Sequence, residues 1–297
     1  MAADSTPAAE PASLPLPGAG GRLVLGGSPK VMGILNITPD SFSDGGLFLE
    51  REAAVRQGLG MAEAGADLLD LGAESTRPGG GVYGAGCVEL EPAEELARLL
   101  PVLAELRRRL PQIPISVDTR KGPVAEAALD AGADLINDVG GLRDPGLRAV
   151  VAGAGCAVVA MHSRGELSTM QRNISFRNVV TEVKEELAAT LERARTDGIP
   201  PSRVLLDPGI GFGKAIGHNL SLLRHLRAIR ALGCPLLVGA SRKSFISSIH
   251  QATPTERLPG SLAALAWAAS AEAEIVRVHD VAESRQFLGV WSAIHSA

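Results

Sequence analysis

The phrase Ala64-Gly65-Ala66-Asp67, followed at once by the apolar run Leu68–Leu71, recurs as Ala131-Gly132-Ala133-Asp134 ahead of Leu135–Ile136. An amphipathic stretch precedes each copy, Arg51–Ala64 in the first and Val124–Ala131 in the second. Glycine just past a helix supplies the left-handed turn that ends it, so the phrase reads as helix, cap, strand. Gly155 and Gly233 stand at the same place ahead of Val158–Met161 and Leu236–Val238. Outward from these, short apolar runs lie at Val31–Leu35, Ile115–Val117, Val204–Leu206 and Ile275–Val278. Helical stretches lie between them, among them Ala93–Arg109, Val179–Thr196, Leu220–Leu232 and Gly260–Ala271. Runs that are apolar throughout belong to strands covered on both faces. Their alternation with helices predicts βαβ units and a parallel sheet. Eight such strands predict an α/β fold, a (β/α)8 TIM barrel forming a single domain over 22–297, with a doubly wound open sheet as the alternative. Residues 1–21, rich in Ala, Pro, Ser and Gly and lacking a basic residue, are expected to be a disordered tail.

Composition narrows the function classes. Lys and Arg number 29 against 33 Asp and Glu, a net charge of −4, which lacks the basic face of a nucleic-acid binder. Aromatic residues at 3% leave little for a base-stacking platform. No apolar run approaches the ~20 residues of a membrane helix. Cys87, Cys156 and Cys234 are too few and too scattered for a disulfide framework or a thiolate zinc site, and fit a reducing cytoplasmic setting. Only five residues are Lys, so a lysine in a glycine-rich turn stands out.

In a barrel the C-terminal ends of the strands converge on one mouth. The run ends are polar in every case: Asn36 and the loop from Thr38 to Gly46; Glu74-Ser75-Thr76-Arg77-Pro78-Gly79; Asp118-Thr119-Arg120; Asn137-Asp138; His162; Asp207-Pro208-Gly209; Ser241-Arg242-Lys243; and Arg277 with His279-Asp280. Any one Asp or Asn serves equally as a turn former or helix cap. Eight polar ends together point to an active-site mouth. Arg77, Arg277 and His279 suit a phosphate or pyrophosphate. Asp118, Asn137 and Asp207 suit a donor-rich heterocycle edge, and Lys243 a ring carbonyl. Asn36 offers the neutral oxygen that hard cations accept. The loop around Phe42 is glycine-ended and suits a lid. The pattern predicts transfer chemistry on a phosphorylated, planar small molecule.

Gly209-Ile210-Gly211-Phe212-Gly213-Lys214 is neither of the common nucleotide-loop patterns, and Pro208 breaks the strand-to-helix turn such a loop needs. The six histidines show no metal spacing.

The run from Met32 to Gly46, the Glu74–Gly79 run, Ser116-Val117-Asp118-Thr119, Ile136-Asn137-Asp138, Leu206-Asp207-Pro208-Gly209, Ser241-Arg242-Lys243-Ser244 and Arg277-Val278-His279-Asp280 resemble, in order, the signatures of the dihydropteroate synthase family of the folate pathway, the target of sulfonamides. The resemblance implies condensation of 6-hydroxymethyl-7,8-dihydropterin pyrophosphate with p-aminobenzoate, with no fused partner domain. It implies that Asp118, Asn137, Asp207, Lys243 and Met161 hold the pterin, with Asp118, Lys243, Arg277 and His279 as the catalytic set. It implies that Asn36, through Mg2+, holds the pyrophosphate with Arg77, Arg277 and His279. Thr76, Pro78, Phe212, Lys243 and Ser244 would line the aminobenzoate pocket and Phe42 would close over it. A cytoplasmic homodimer with small-molecule partners only is implied as well. Ala73, where the family usually has glycine, and the His162–Leu167 run depart from the pattern and leave loop shape open. Two other classes remain at this point: a pterin-binding methyltransferase domain, which would not need Lys243 and Arg277, and a non-catalytic pterin binder, which would lose the pyrophosphate site.

Overall fold

The computed structural model describes residues 12–37, 46–74, 89–166, 169–172 and 174–297, with 46–49 described through the backbone alone. Eight parallel strands form one sheet: β3 (Lys30–Asn36), β4 (Leu68–Gly72), β5 (Ile115–Asp118), β6 (Leu135–Asp138), β7 (Ala157–Met161), β8 (Val204–Asp207), β9 (Leu237–Val238) and β10 (Ile275–Val278). Neighbours follow chain order from β3 to β8, and β10 lies between β3 and β9. A parallel bridge from Leu206 to Leu236 and a bond from the Leu206 N–H to the Pro235 carbonyl (2.9 Å) close the ring. The (β/α)8 barrel is therefore the fold, and the open sheet is excluded by that closure.

The outer layer consists of α1 (Gly46–Glu63), α2 (Pro92–Arg109), α3 (Gly122–Asp130), α4 (Pro145–Ala154), α5 (Val179–Thr196), α6 (Ile216–Arg224), α7 (Leu226–Arg230), α8 (Ser244–Ile249), α9 (Leu258–Ser270) and α10 (Val281–Ser296). The stretch expected as one helix over Leu220–Leu232 is two, because His225 leaves helical geometry and turns its Nδ1 onto the Ser221 carbonyl.

The repeated Ala-Gly-Ala-Asp phrase has a structural reason beyond its glycine. Asp67 Oδ2 accepts from the Val31 N–H on β3 (2.7 Å), and Asp134 Oδ2 accepts from the Ile115 N–H on β5 (2.8 Å). Glu274 does the same for the Leu236 N–H (2.7 Å). A carboxylate just before one strand thus satisfies the strand beside it at the barrel's N-terminal end.

The expectation of a disordered tail through residue 21 is corrected for its described part. Residues Ser13–Pro15 (β1) and Arg22–Val24 (β2) form an antiparallel hairpin, and residues 1–11 lie outside the described residues. Leu14 and Leu25 are buried in one cluster with Met32, Leu68, Leu135, Leu205, Leu237 and Ile275, the inward side chains of the barrel's lower end. The hairpin is a floor. Its turn comes so near the Gly132 carbonyl that a Cβ on Gly18 would lie 2.1 Å from that oxygen, and the Ala19 N–H donates to Asp134 Oδ1 (2.7 Å). Prolines and glycines that read as disorder are here the corners of a plug, held by two leucines.

Candidate active site

The step from floor to site takes one pleat. Side chains two apart on a strand share a face. Leu68, Leu135, Leu205 and Ile275 belong to the floor cluster, and two residues further along their strands stand Asp70, Asn137, Asp207 and Arg277. An apolar layer thus passes directly into a polar one at the C-terminal mouth.

Asp70 is at the centre of that layer. Its Oδ2 accepts from Arg277 Nε (2.5 Å) and from Asn137 Nδ2 (3.0 Å), and Arg277 Nη2 donates to Asp118 Oδ2 (3.0 Å). Strands β4, β5, β6 and β10 are joined through these four side chains. Asp118 Oδ1 and Asp70 Oδ1 are buried acceptors without a partner among the described residues, which calls for a ligand that donates. Burial pushes the Asp118 carboxyl up, with Arg277 opposing and Asp70 adding to the rise. Burial likewise raises Asp207, against the pull of the Gly209 N–H on its Oδ1 (2.7 Å) and of Lys243.

Lys243 enters from the β9 end. Arg242 before it is left-handed (φ 56°), its N–H donates to Ser261 Oγ (2.9 Å), and its guanidinium forks onto Asp280. This brace ties the β9 loop to the end of β10. Lys243 Nζ lies 4.2 Å from the centre of the Phe212 ring. Burial, and then the nearby Arg277, pull Lys243 down to about 8.

His279 is set by Ser241. The His279 backbone N–H donates to Ser241 Oγ (3.2 Å), and the same oxygen lies 3.1 Å from His279 Nδ1. With the Ser241 hydroxyl proton directed at Nδ1, the imidazole carries its proton on Nε2. Burial, with Arg277 and Arg242 adding to it, pushes His279 down to about 3, which keeps the ring neutral.

The structure gathers Asp118, Asn137, Asp207, Lys243 and Arg277 at one mouth, with Asn36 at the end of β3 and Ser244 opening α8. Arg277, expected on the pyrophosphate, turns its guanidinium to Asp70 and Asp118. Met161 and Phe212 share a small buried cluster with Val139 and Met170. Phe42, Thr76, Arg77 and Pro78 lie outside the described residues. The ends of the segment that carries the last three are nonetheless fixed: Lys121 Nζ donates to Glu74 Oε2 (2.5 Å) and to the Leu90 carbonyl (2.7 Å). Ala73 is buried in the barrel's main core.

Two features escape a reading of strand ends. Asp70 is inside a strand, and its signal is a lone charge in the run Leu68-Leu69-Asp70-Leu71. Lys214 is buried and contacts His162, and its signal is a rare lysine behind three glycines.

The family described as pterin binding enzyme matches residues 32–279. The dihydropteroate synthase of Synechocystis sp. is 44% identical over 266 residues, 89% of each chain. A structure of Xanthomonas albilineans dihydropteroate synthase with 4-aminobenzoic acid aligns with a TM-score of 0.88 at 43% identity, covering 97% of this chain and 99% of that one. The same enzyme in complex with 7,8-dihydropteroate aligns with a TM-score of 0.83 at 42% identity, covering 95% and 99%. Strand order, the polar ring above an apolar floor, and likeness over nearly the whole length agree: the chain belongs to the dihydropteroate synthase family of pterin-binding enzymes.

Proposed function

We infer that the chain catalyses the synthase reaction of its family, in which the amine of p-aminobenzoate displaces pyrophosphate from the methylene carbon of 6-hydroxymethyl-7,8-dihydropterin pyrophosphate to give 7,8-dihydropteroate for folate biosynthesis. The observation that carries this reading is the buried ring in which Asp70 joins Asn137 and Arg277, and Arg277 joins Asp118. A methyltransferase domain or a passive pterin binder would not need Arg277 in that ring with Lys243 near it.

Asp118, whose Oδ1 is buried with no partner among the described residues, would accept from the pterin's N–H edge together with Asn137 and Asp207. Lys243 donates to the ring carbonyl while Arg277 holds Asp118 in position. Carboxylates around the pterin favour the positive charge that develops as the leaving group departs, so these residues act by position and electrostatics. Neutral His279 offers Nε2–H to the pyrophosphate beside Asn36 and Arg77. Phe212 and Ser244 would line the aminobenzoate side together with Thr76, Pro78 and Phe42. No proton need pass to a protein base, because pyrophosphate leaves as an anion and the amine's proton can go to solvent.

Mg2+ fits as an ion borne by substrate. Among the described residues no three His, Cys, Asp or Glu side chains come together to hold a metal, while Asn36, a neutral amide, ends β3. Asn36 would hold a hard cation that enters with the substrate's phosphates, and the cation would supply positive charge there. Bound there, it would neutralise the departing pyrophosphate. The proposal extends to a homodimer through α9 and α10, whose Trp267, Val290 and Ile294 are exposed. A cytoplasmic location is supported by the free, buried Cys156 and Cys234. No helix among the described residues is long and apolar enough to cross a membrane.

The test is pyrophosphate release on mixing the pterin pyrophosphate with p-aminobenzoate and Mg2+, which is expected to stop with EDTA and resume with added metal. No release from folded protein would overturn the synthase reading. Release undiminished by EDTA would remove the metal and the role of Asn36.

A further inference from the structure

The glycine-rich turn after β8 is built around a cation. Lys214 Nζ donates to the Gly209 carbonyl (2.9 Å), to the Phe212 carbonyl (2.9 Å) and to His162 Nδ1 (2.9 Å), with the His162 carbonyl at 3.2 Å. Gly209, Gly211 and Gly213 have φ of 67°, 86° and 61°, so every second residue turns left-handed and the chain wraps onto its own lysine. There is no room for side chains in that wrap: a Cβ on Gly209 would lie 1.9 Å from the His162 carbonyl oxygen. A phosphate loop turns its N–H groups inward to meet an anion. This loop turns carbonyls inward to meet an ammonium, the opposite polarity, so it is not an anion cradle.

The charge is balanced outward. With Nδ1 accepting from Lys214, His162 carries its proton on Nε2, 3.0 Å from Glu186 Oε2, and Arg164 pairs with Glu186 in turn. Burial lowers His162 to about 4, which keeps that imidazole neutral between the ammonium and the carboxylate. One of the carbonyls on the lysine belongs to Phe212, whose ring lies against Lys243. The ammonium therefore fixes the backbone of the residue that walls Lys243.

We propose that Lys214 is a positioning residue: its ammonium holds the Gly209–Gly213 wrap so that the Phe212 ring stays on Lys243 and on the aminobenzoate side of the site. The assignment of that side rests on the synthase reading above.

The test pairs Lys214→Met with Phe212→Ala. Lys214→Met is expected to raise KM for p-aminobenzoate about tenfold or more, as a misplaced wall does, with KM for the pterin pyrophosphate changed by less than about twofold. Phe212→Ala is expected to do the same, and the double variant to add little, because the lysine acts through the ring. An unchanged aminobenzoate KM in Lys214→Met, or full additivity, would overturn the proposal. A readout without substrate accompanies the kinetics. Hydrogen exchange of amides 209–213 is expected to quicken in Lys214→Met with β4–β6 unchanged, and unaltered exchange in that turn would overturn the cage itself. If the wild-type protein releases no pyrophosphate, the synthase reading fails while the exchange result still decides the cage. If Lys214→Met does not fold, Lys214→Arg keeps the charge but misplaces its donors. It is expected to raise the aminobenzoate KM, and an unchanged value would likewise overturn the proposal.

Discussion

Asp70 and Asp118 face one guanidinium across the barrel, and that arithmetic sets the behaviour of the site residue by residue. Asp70 is fully buried and supplies Arg277 with its Nε partner and Asn137 with its amide partner. Asp70→Ala would leave a charge half-paired in a dry setting, and removing one member of a buried pair costs about 3–5 kcal/mol. We expect a loss of that order in urea denaturation and weaker pterin binding by calorimetry, since both partners lose their aim. Pterin affinity equal to wild type would show that Asp70 serves stability alone. The lysines predict the pH profile. Lys243 and Lys214 sit at about 8 and about 7, both pulled down from 10.5 by burial. Each acts as an ammonium, so raising pH removes the active form. The rate kcat/KM is therefore expected to fall as pH rises from about 7 to 8, well before an ordinary lysine titrates. Asp118, raised to about 8 by burial, ionises over the same range and opposes that fall. Lys243→Arg does not titrate there and is expected to weaken the alkaline fall. A Lys243→Arg profile that falls as steeply as wild type would contradict the assignment to Lys243.

At the scale of elements, the hairpin of β1 and β2 and the ring of strand ends have separate work. Leu14 is 1% exposed and closes the barrel's lower end. Leu14→Ala removes buried methyl groups at a place where the rigid barrel cannot collapse, which costs about 2–5 kcal/mol. The expected result is a lower urea midpoint with an unchanged denaturant slope. Turnover of the folded fraction should stay as in wild type, because the floor is at the opposite end from the mouth. A large change in KM would mean that floor and mouth are coupled. The braces at the mouth, Arg242 on Asp280 and Lys121 between Glu74 and Leu90, are also matters of elements: they tie the chain after β9 to the end of β10 and the chain after β5 to that after β4.

For the whole molecule, the proposed homodimer puts its interface on α9 and α10. α9 buries Ala264, Leu265 and Ala268 against the barrel and leaves Trp267 52% exposed, while Val290 and Ile294 on α10 are 58% and 69% exposed. These exposed apolar side chains are what supports the proposed interface. Light scattering at micromolar concentration is expected to give twice the chain mass, and Trp267→Glu to shift it toward the monomer. A monomer mass for the wild-type protein would end the dimer proposal.

The βα alternation, the glycine caps and the polar strand ends were all legible in the residues, because hydrophobic period and turn chemistry are local. The one-pleat step from Leu68 to Asp70 or from Ile275 to Arg277 is likewise written in the chain, since side chains on a strand alternate. Residues 12–25 were not legible: their few leucines sit among prolines and glycines, and a plug is recognised only when the hole it fills exists. Nor could local pattern show that Arg277 would turn to Asp70 and Asp118, 207 and 159 residues away in sequence. Lys214 makes the point most sharply. Its glycines announced a tight turn, but the direction of their carbonyls is set by the fold, and the His162 and Glu186 that balance the charge come from just after β7 and from α5. The sequence alone determined which groups could meet at the mouth. The closed barrel decided which ones do, because hydrogen bonds and desolvation depend on distances that only tertiary packing sets.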